Sequence, residues 1–289
     1  MVSASAQRGI RRPRFAIAVA TAVMTVAALY FLIPVYWLVV ASTKSAGELF
    51  TTPGFTFSGF HLFDNIAKLT TFEGGIFWRW MLNSVVYSVF GSVLTTLVCA
   101  LAGYALSVYR FRARQPLIAL VLGSLLIPGA VLAIPTYQLI VLLGLDNTYA
   151  GLLLPGLVFP FGVLLAYVYA QSSIPYELIE AARIDGLNEL RIFLTVGMRM
   201  MSTGLATILL FAFLGSWNSF ILPLLVLNDT HLMPLTVGLH SWNANASRIP
   251  GLQALTVVGA LVSVVPIVAV FLSLQRFWKT GLATGSVRF

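Results

Sequence analysis

The sequence predicts an all-α integral membrane protein with six transmembrane helices and a further helix outside the membrane between the fourth and fifth. Three observations predict it. Only 17 basic and 9 acidic residues occur among 289, roughly one in eleven where soluble domains carry about a quarter. Six stretches carry no charge at all, 15–43, 80–109, 115–145, 147–176, 200–228 and 249–275, each 27–31 residues long, and about 20 apolar helical residues suffice to cross a hydrocarbon core. The charges crowd into the other 113 residues, at a density near the soluble norm of about a quarter. Six such segments buried in a soluble core would leave almost no polar face for water.

The first span, 15–41, follows a basic tail over 1–14, as a signal peptide would. Its uncharged stretch includes Tyr30, Pro34, Tyr36 and Trp37 and far exceeds the roughly 7–15-residue core of a signal peptide, so it is expected to be retained. The second span, 82–107, contains Gly91, Ser92, Gly103 and Ala105, small residues that let helices approach closely. Spans 116–142, 149–172, 202–227 and 253–275 all carry proline: Pro128 and Pro135, Pro155 and Pro160, Pro223, and Pro266. A missing N–H inside a span predicts kinks, satisfied by neighbouring protein or water. The hydrophilic segments 44–79 and 229–248 are too short for a core of their own, so 15–289 reads as one transmembrane domain. Cys99 is the single cysteine, which excludes an intramolecular disulfide or a cysteine metal cluster.

An even number of spans puts both termini on one side. Thirteen basic residues fall on that side, in the two tails, the 110–114 turn and the 177–199 loop, against Lys44, Lys68, Arg79 and Arg248 on the other. The positive-inside rule then makes the termini and the 177–199 loop cytoplasmic. The net charge of +8 is topology and attraction to anionic lipid, with no call for nucleic acid. No span contains an acidic, basic or histidine side chain, the groups that secondary carriers, pumps and voltage sensors keep at mid-membrane depth, and no internal repeat stands out. A driving force from outside the bilayer is expected.

The segment 173–199 has the chemistry of a helix outside the membrane. Ser173 is placed to cap it, Pro175 falls in its first turn, Glu177 meets the positive end of the dipole and Gly186 suits a left-handed stop. Leu178, Ile179, Ala182 and Ile184 mark an apolar side and Glu177, Glu180, Arg183 and Asp185 a charged one, with Glu180 and Arg183 at pairing distance. A second short helix is expected after Asn188. A helix lying on the membrane surface fits this pattern without any partner.

The string Glu180-Ala181-Ala182-Arg183-Ile184-Asp185-Gly186 closely resembles the EAA loop of permease subunits of binding-protein-dependent bacterial ABC importers. That pattern is Glu-Ala-Ala, three residues, Gly, nine residues, then Ile-x-Leu-Pro. The first half matches in full; Val196, Met198 and Arg199 stand at the Ile, Leu and Pro positions, so the motif's proline is missing. Gly103-Tyr104-Ala105-Leu106, Arg110-Phe111-Arg112, Ile134-Pro135-Thr136-Tyr137, Leu143 to Thr148, and Trp217 to Leu224 also resemble, in order, strings of the smaller permease of maltose-type carbohydrate importers. The resemblance implies a two-helix coupling element seated on a cytoplasmic ATPase, with Glu180, Arg183 and Asp185 as polar contacts, Ala181 and Ala182 as close-packing sites and Gly186 as the turn. It implies two copies of that ATPase, a second permease that is a different chain, and an extracytoplasmic solute-binding protein docking on 44–79 and 229–248. ATP and Mg belong to the ATPase; no cofactor is expected on this chain, which carries no Walker-type phosphate loop.

A sugar is bound by hydroxyl hydrogen bonds and aromatic faces. The candidates for its path are Asn83, Ser84 and Tyr87 on span two, Tyr137 and Gln138 on span three, and Trp217, Asn218 and Ser219 on span five; helix–helix hydrogen bonding accounts for the same residues. His231 and His240 have no third ligand nearby, so no metal site is expected. The reading is a permease subunit of a sugar importer in a bacterial cell membrane. A polytopic enzyme acting on lipid-linked substrate, or an ATP-independent carrier or channel, is the alternative.

Overall fold

The computed structural model describes residues 14–285; the basic tail expected over 1–14, apart from the start of the first helix, and Arg288 lie outside the described residues. Every regular element among the described residues is helical. Three helices are long and apolar enough to cross a membrane, or up to six if each of three bent helix pairs is one span. The two ends of the bundle are called here the loop end, which bears 173–201, and the strap end, which bears 228–251.

Helix α1 (Arg14–Ser42) runs through Pro34 and packs on α15 (Leu252–Gly285). Most of its side chains face outward, as suits a lipid-solvated rod with no polar face. At its strap end Lys44 is 1% exposed, its ammonium donating to Thr52 Oγ1 at 2.9 Å and to the Pro53 carbonyl at 2.6 Å. Short helices α2 (Glu48–Thr51) and α3 (Leu62–Thr71) follow, with Asn65 donating to the carbonyls of Ser42 and Lys44 at 3.0 and 2.9 Å.

Helix α4 (Ile76–Val108) is the centre of the bundle and starts earlier than residue 82, because left-handed Gly75 (φ 81°) ends the preceding turn. Its buried stripe Ser84, Ser88, Gly91, Ser92, Thr95, Cys99 and Gly103 recurs at helical spacing and is small, which lets neighbours come close. A Cβ on Gly103 would stand 2.5 Å from that of Ala166, and one on Gly162 2.7 Å from Cys99 Sγ. The partners are α8 (Pro160–Ser173) and α12 (Ser202–Trp217).

Three of the other span candidates are interrupted, whereas the 253–275 segment runs unbroken through Pro266 within α15. The 116–142 segment is two helices, α5 (Arg114–Ser124) and α6 (Gly129–Leu142), at 107°; Pro128 has no N–H to continue the ladder and adopts ψ 128°. Between 149 and 172, α7 (Tyr149–Gly156) and α8 meet at 42°, with Pro160 starting the second piece. The 202–227 segment is α12 and α13 (Ile221–Val226), separated at Asn218–Phe220. Finally α14 (Leu235–Asn245) closes the strap end.

Candidate functional site: a packed loop, a cavity and a strap

At the loop end, α9 (Tyr176–Ile184) and α10 (Glu189–Ile192) form a helical hairpin. Two local expectations need correction. Ser173 ends α8 and caps nothing, and Pro175 is the N-cap of α9, one step before the first turn. The turn itself is as the residues require: Gly186 has φ +81°, with nothing within 4 Å of where its Cβ would stand, so its role is conformational freedom and not space. Asn188 Oδ1 caps α10 by accepting from the Arg191 N–H at 2.9 Å.

Only part of the expected apolar side is buried. Ile179 and Ala182 pack with Tyr104, Ile192 and Phe193, whereas Leu178 is 45% and Ile184 86% exposed. The cause is geometric. One stripe of a nine-residue helix faces the bundle, and Ile184 lies five positions from Ile179, off that stripe. Glu177, Glu180, Ala181, Asp185 and Gly186 are exposed, so the outer surface of α9 carries both charge and apolar side chains.

Arg183 pairs with Glu189 across the turn rather than with Glu180. Its Nε donates to Glu189 Oε1 at 2.7 Å and its Nη2 to Oε2 at 3.3 Å. Oε2 also accepts from the hydroxyl of Tyr109, just past the end of α4, at 2.7 Å. The Arg183 hydrogen bond, then that of Tyr109, holds the Glu189 carboxyl below its usual range; burial and the bond to Glu189 push the Tyr109 phenol up. Sequence reasoning missed Glu189 and Tyr109, because 80 residues separate them and neither lies in the recognised string. Beyond α10 a π turn over Phe193–Gly197 and α11 (Met198–Met200) lead to Met201, where the chain bends by 82° into α12. That is how the join is made with Arg199 in place of the motif's proline.

Between α4, α6, α7, α12 and α13 lies a cavity of about 680 Å³, and no charged residue lines it. Tyr87, Gly91 and Thr95 line it from α4, Thr136 from α6, and Ser216, Asn218 and Ser219 from α12 and the break after it. Of the path candidates, Tyr87, Asn218 and Ser219 therefore line the cavity. Asn83, Ser84, Tyr137, Gln138 and Trp217 do not. Trp217 is 4% exposed and stacks on Phe213 at 5.6 Å; Tyr137 packs beside Ile140 and Val226; Gln138 faces outward from the bundle.

Asn83 belongs to a different construction. Thr230, His231, Leu232 and Met233 form a strap without helical structure, and α4 binds their four carbonyls through side chains spread over its first three turns. Trp80 Nε1 donates to Thr230 at 2.8 Å, Arg79 Nε to His231 at 3.0 Å, and Tyr87 to Leu232 at 3.0 Å. Asn83 Nδ2 donates to His231 and Met233 at 2.8 and 2.9 Å, while its Oδ1 accepts from Tyr149 at 2.7 Å. Ser84 Oγ accepts from the Leu235 N–H at 2.7 Å, and Asn147 Oδ1 from those of Asn228 and Asp229 at 3.0 and 2.9 Å. The spacing 79, 80, 83, 84, 87 is one helix face; that periodicity in polar and indole side chains is the signal that was available. Among the described residues no cluster of three or more His, Cys, Asp and Glu could hold a metal, and His240 packs edge-on against Phe220 at 4.8 Å.

Comparison with known proteins places this architecture. The chain is 37% identical over 225 residues, 78% of this chain and 79% of the other, to the arabinooligosaccharides transport system permease protein AraQ of Halalkalibacterium halodurans. It is 31% identical to the lactose transport system permease protein LacG of Rhizobium radiobacter, covering 92% of this chain and 94% of that one. A bacterial ABC transporter involved in the import of the acidic polysaccharide alginate contains a chain of the same fold, with TM-score 0.78, 23% identity and coverage of 94% of this chain and 99% of that one. The family model for the binding-protein-dependent transport system inner membrane component matches residues 92–280. The chain belongs to that family: it is a permease subunit of an ATP-driven importer, not an enzyme, and its ATP is hydrolysed by a separate subunit.

Proposed function

We propose that this subunit imports a neutral sugar or oligosaccharide delivered by an extracytoplasmic binding protein, in a complex with two ATPase subunits and a second, different permease chain. The observation that carries the reading is the cavity: its lining offers hydroxyls, an amide and aromatic rings and no charge, the chemistry that suits a solute of many hydroxyls and no ion. Relatives named for arabino-oligosaccharide and lactose transport support the sugar class. In this reading α1, α4 and α15, the bent pairs α5–α6 and α7–α8, and the α12–α13 segment that follows the 82° bend give six spans, and the excess of basic residues at the loop end makes that end and both termini cytoplasmic. Glu180, Ala181, Arg183, Asp185 and Gly186 then form the surface that meets the ATPase, and Ala182 is the close-packing site that seats α9 on the bundle behind it. The exposed Leu178 and Ile184 supply the apolar contact that a charged surface helix alone does not need. ATP and Mg act on the partner; this chain converts the partner's motion into exposure of the cavity to one side or the other. Asn218 and Ser219 form part of the sugar's path. Membrane enzymes and ATP-independent carriers or channels fall away with family membership.

The test is uptake by proteoliposomes containing this chain with the ATPase, second permease and binding protein encoded beside it. ATP-dependent accumulation of one neutral sugar from a panel is the expected result. Uptake by this chain alone, or accumulation only of an anionic solute, would refute the reading.

A further inference from the structure

We infer that α4 is a transmission rod joining the loop end to the strap end, so that motion delivered to the α9–α10 hairpin reaches the 230–233 strap through α4 as well as entering α12. The inference rests on the importer reading, and three observations carry it beyond that reading. First, α4 is the one span-length helix among the described residues with neither a proline nor a break. Helices α1 and α15 contain Pro34 and Pro266, and the remaining candidates are pairs bent by 42° to 107°. An unbroken helix of 33 residues is about 50 Å long; it has no proline, and its Gly91-Ser92 pair, a sequence at which helices can bend, is helical on both sides.

Second, side-chain hydrogen bonds clamp both ends. At the loop end Tyr109 donates to Glu189 at 2.7 Å, and Tyr104, one turn earlier, meets the Phe193 ring at 5.2 Å. At the strap end Trp80, Asn83 and Tyr87 bind strap carbonyls at 2.8–3.0 Å. Third, the two clamped segments lie at opposite ends of the same cavity-lining helix. Tyr87 lines the cavity, and so does Pro234, which follows the strap. A tilt or axial shift of α4 therefore cannot leave the cavity's strap-end margin where it was. Glu189 and Tyr109 are positioning residues in this scheme: they touch neither solute nor nucleotide, and they decide whether α4 follows the hairpin.

The experiment uses the whole importer, reconstituted with binding protein, with His231→Cys introduced into this chain in a Cys99→Ser background. His231 is exposed on the strap, and Cys99 is the only native cysteine of the chain. The rate at which a membrane-impermeant maleimide modifies this chain is measured with and without ATP, beside sugar uptake and ATP hydrolysis. The expected result is an ATP-dependent change in rate that Tyr109→Phe largely removes and Glu189→Gln also diminishes, the double variant being no worse than the stronger single one. Assembly with the ATPase persists and more ATP is hydrolysed per sugar moved. An unchanged ATP response in Tyr109→Phe overturns the rod while leaving the importer reading intact, as does the absence of any ATP response at residue 231 in a parent complex that transports. A parent complex that assembles yet moves no sugar overturns the importer reading, and the rod with it.

Discussion

The two segments that close the bundle, the α9–α10 hairpin at the loop end and the 230–233 strap at the other, are held by opposite means. The hairpin rests on apolar packing of Ile179, Ala182, Ile192 and Phe193, plus one carboxylate, Glu189, shared by two donors. The strap has no regular structure and is bound through its backbone, its four carbonyls receiving side chains of one face of α4. Packing with a few polar contacts leaves an outer surface free to meet a partner and to move as a body. Backbone carbonyls bound one by one fix a path and leave its side chains free. The difference suits a hairpin that receives force and a strap that shapes the mouth of a cavity.

The comparison breaks most severely at Asn83. Replacing it with Leu removes two bonds to strap carbonyls and the acceptor of Tyr149 at a site 1% exposed. Each buried polar group left unpaired costs about 1–3 kcal/mol. The purified complex should unfold at a clearly lower temperature, and sugar uptake should fall even where the protein still inserts. Retention of the wild-type melting temperature would show that the strap is not held by its carbonyls. Gly238→Val attacks the same end by crowding, since a Cβ there would run into the Trp80 indole; overpacking of this kind costs about 1–3 kcal/mol.

At the loop end, Gly186→Val forces a β-branched residue into φ +81°, a region that disfavours L-residues by roughly 1–2 kcal/mol. The expected outcome is ATP hydrolysis without matching uptake, in a protein that still reaches the membrane, measured as the ratio of the two rates. Ile184→Asp should change folding very little, because its side chain is 86% exposed and surface substitutions usually stay within about ±0.5 kcal/mol. It should nevertheless reduce co-purification of the ATPase. A variant that kept its ATPase would show that the exposed apolar surface of α9 is not the docking face.

Much of this was legible in the chain. Charge-free runs located the apolar helices, Gly186 and Asn188 marked the hairpin's turn and cap, and the EAA-type string marked the surface of α9. Periodic and local signals of this kind survive in one dimension. What was not legible depends on which distant segments meet. Nothing local distinguishes Asn83, which binds a strap 148 residues away, from Asn218, which lines the cavity. Arg183 has Glu180 at helical pairing distance and turns to Glu189 because Gly186 folds α10 back towards it. Proline marked the breaks at Pro128 and Pro160, but α15 runs unbroken through Pro266 and the break at 218–220 precedes Pro223, because whether a freed carbonyl bends a helix depends on what packs around it.

The finest of the expected effects is a pH response of the hairpin's one shared carboxylate. Glu189 titrates below the usual carboxylate range, first because Arg183 donates to it and then because Tyr109 does. A lowered folded-state pKa adds stability that is complete above the unfolded value and lost as pH falls through the folded one. Tyr109 runs the other way: burial, then its bond to Glu189, raises its pKa, so the protonated donor persists as pH rises through the ordinary phenol range. The link is therefore intact from mildly acid to mildly alkaline pH and fails first on the acid side. Because Arg183 and Glu189 are exposed by a third to a half of their side chains, solvent and salt screen the pair and the effect on overall stability is small. Local opening is the better measure. Protease cleavage at Asp185–Asn188 should accelerate below the carboxylate range in the wild type, and be fast already at neutral pH in Glu189→Ala. Equal, pH-independent cleavage of both would mean that packing alone holds the hairpin and that Glu189 does not join it to α4.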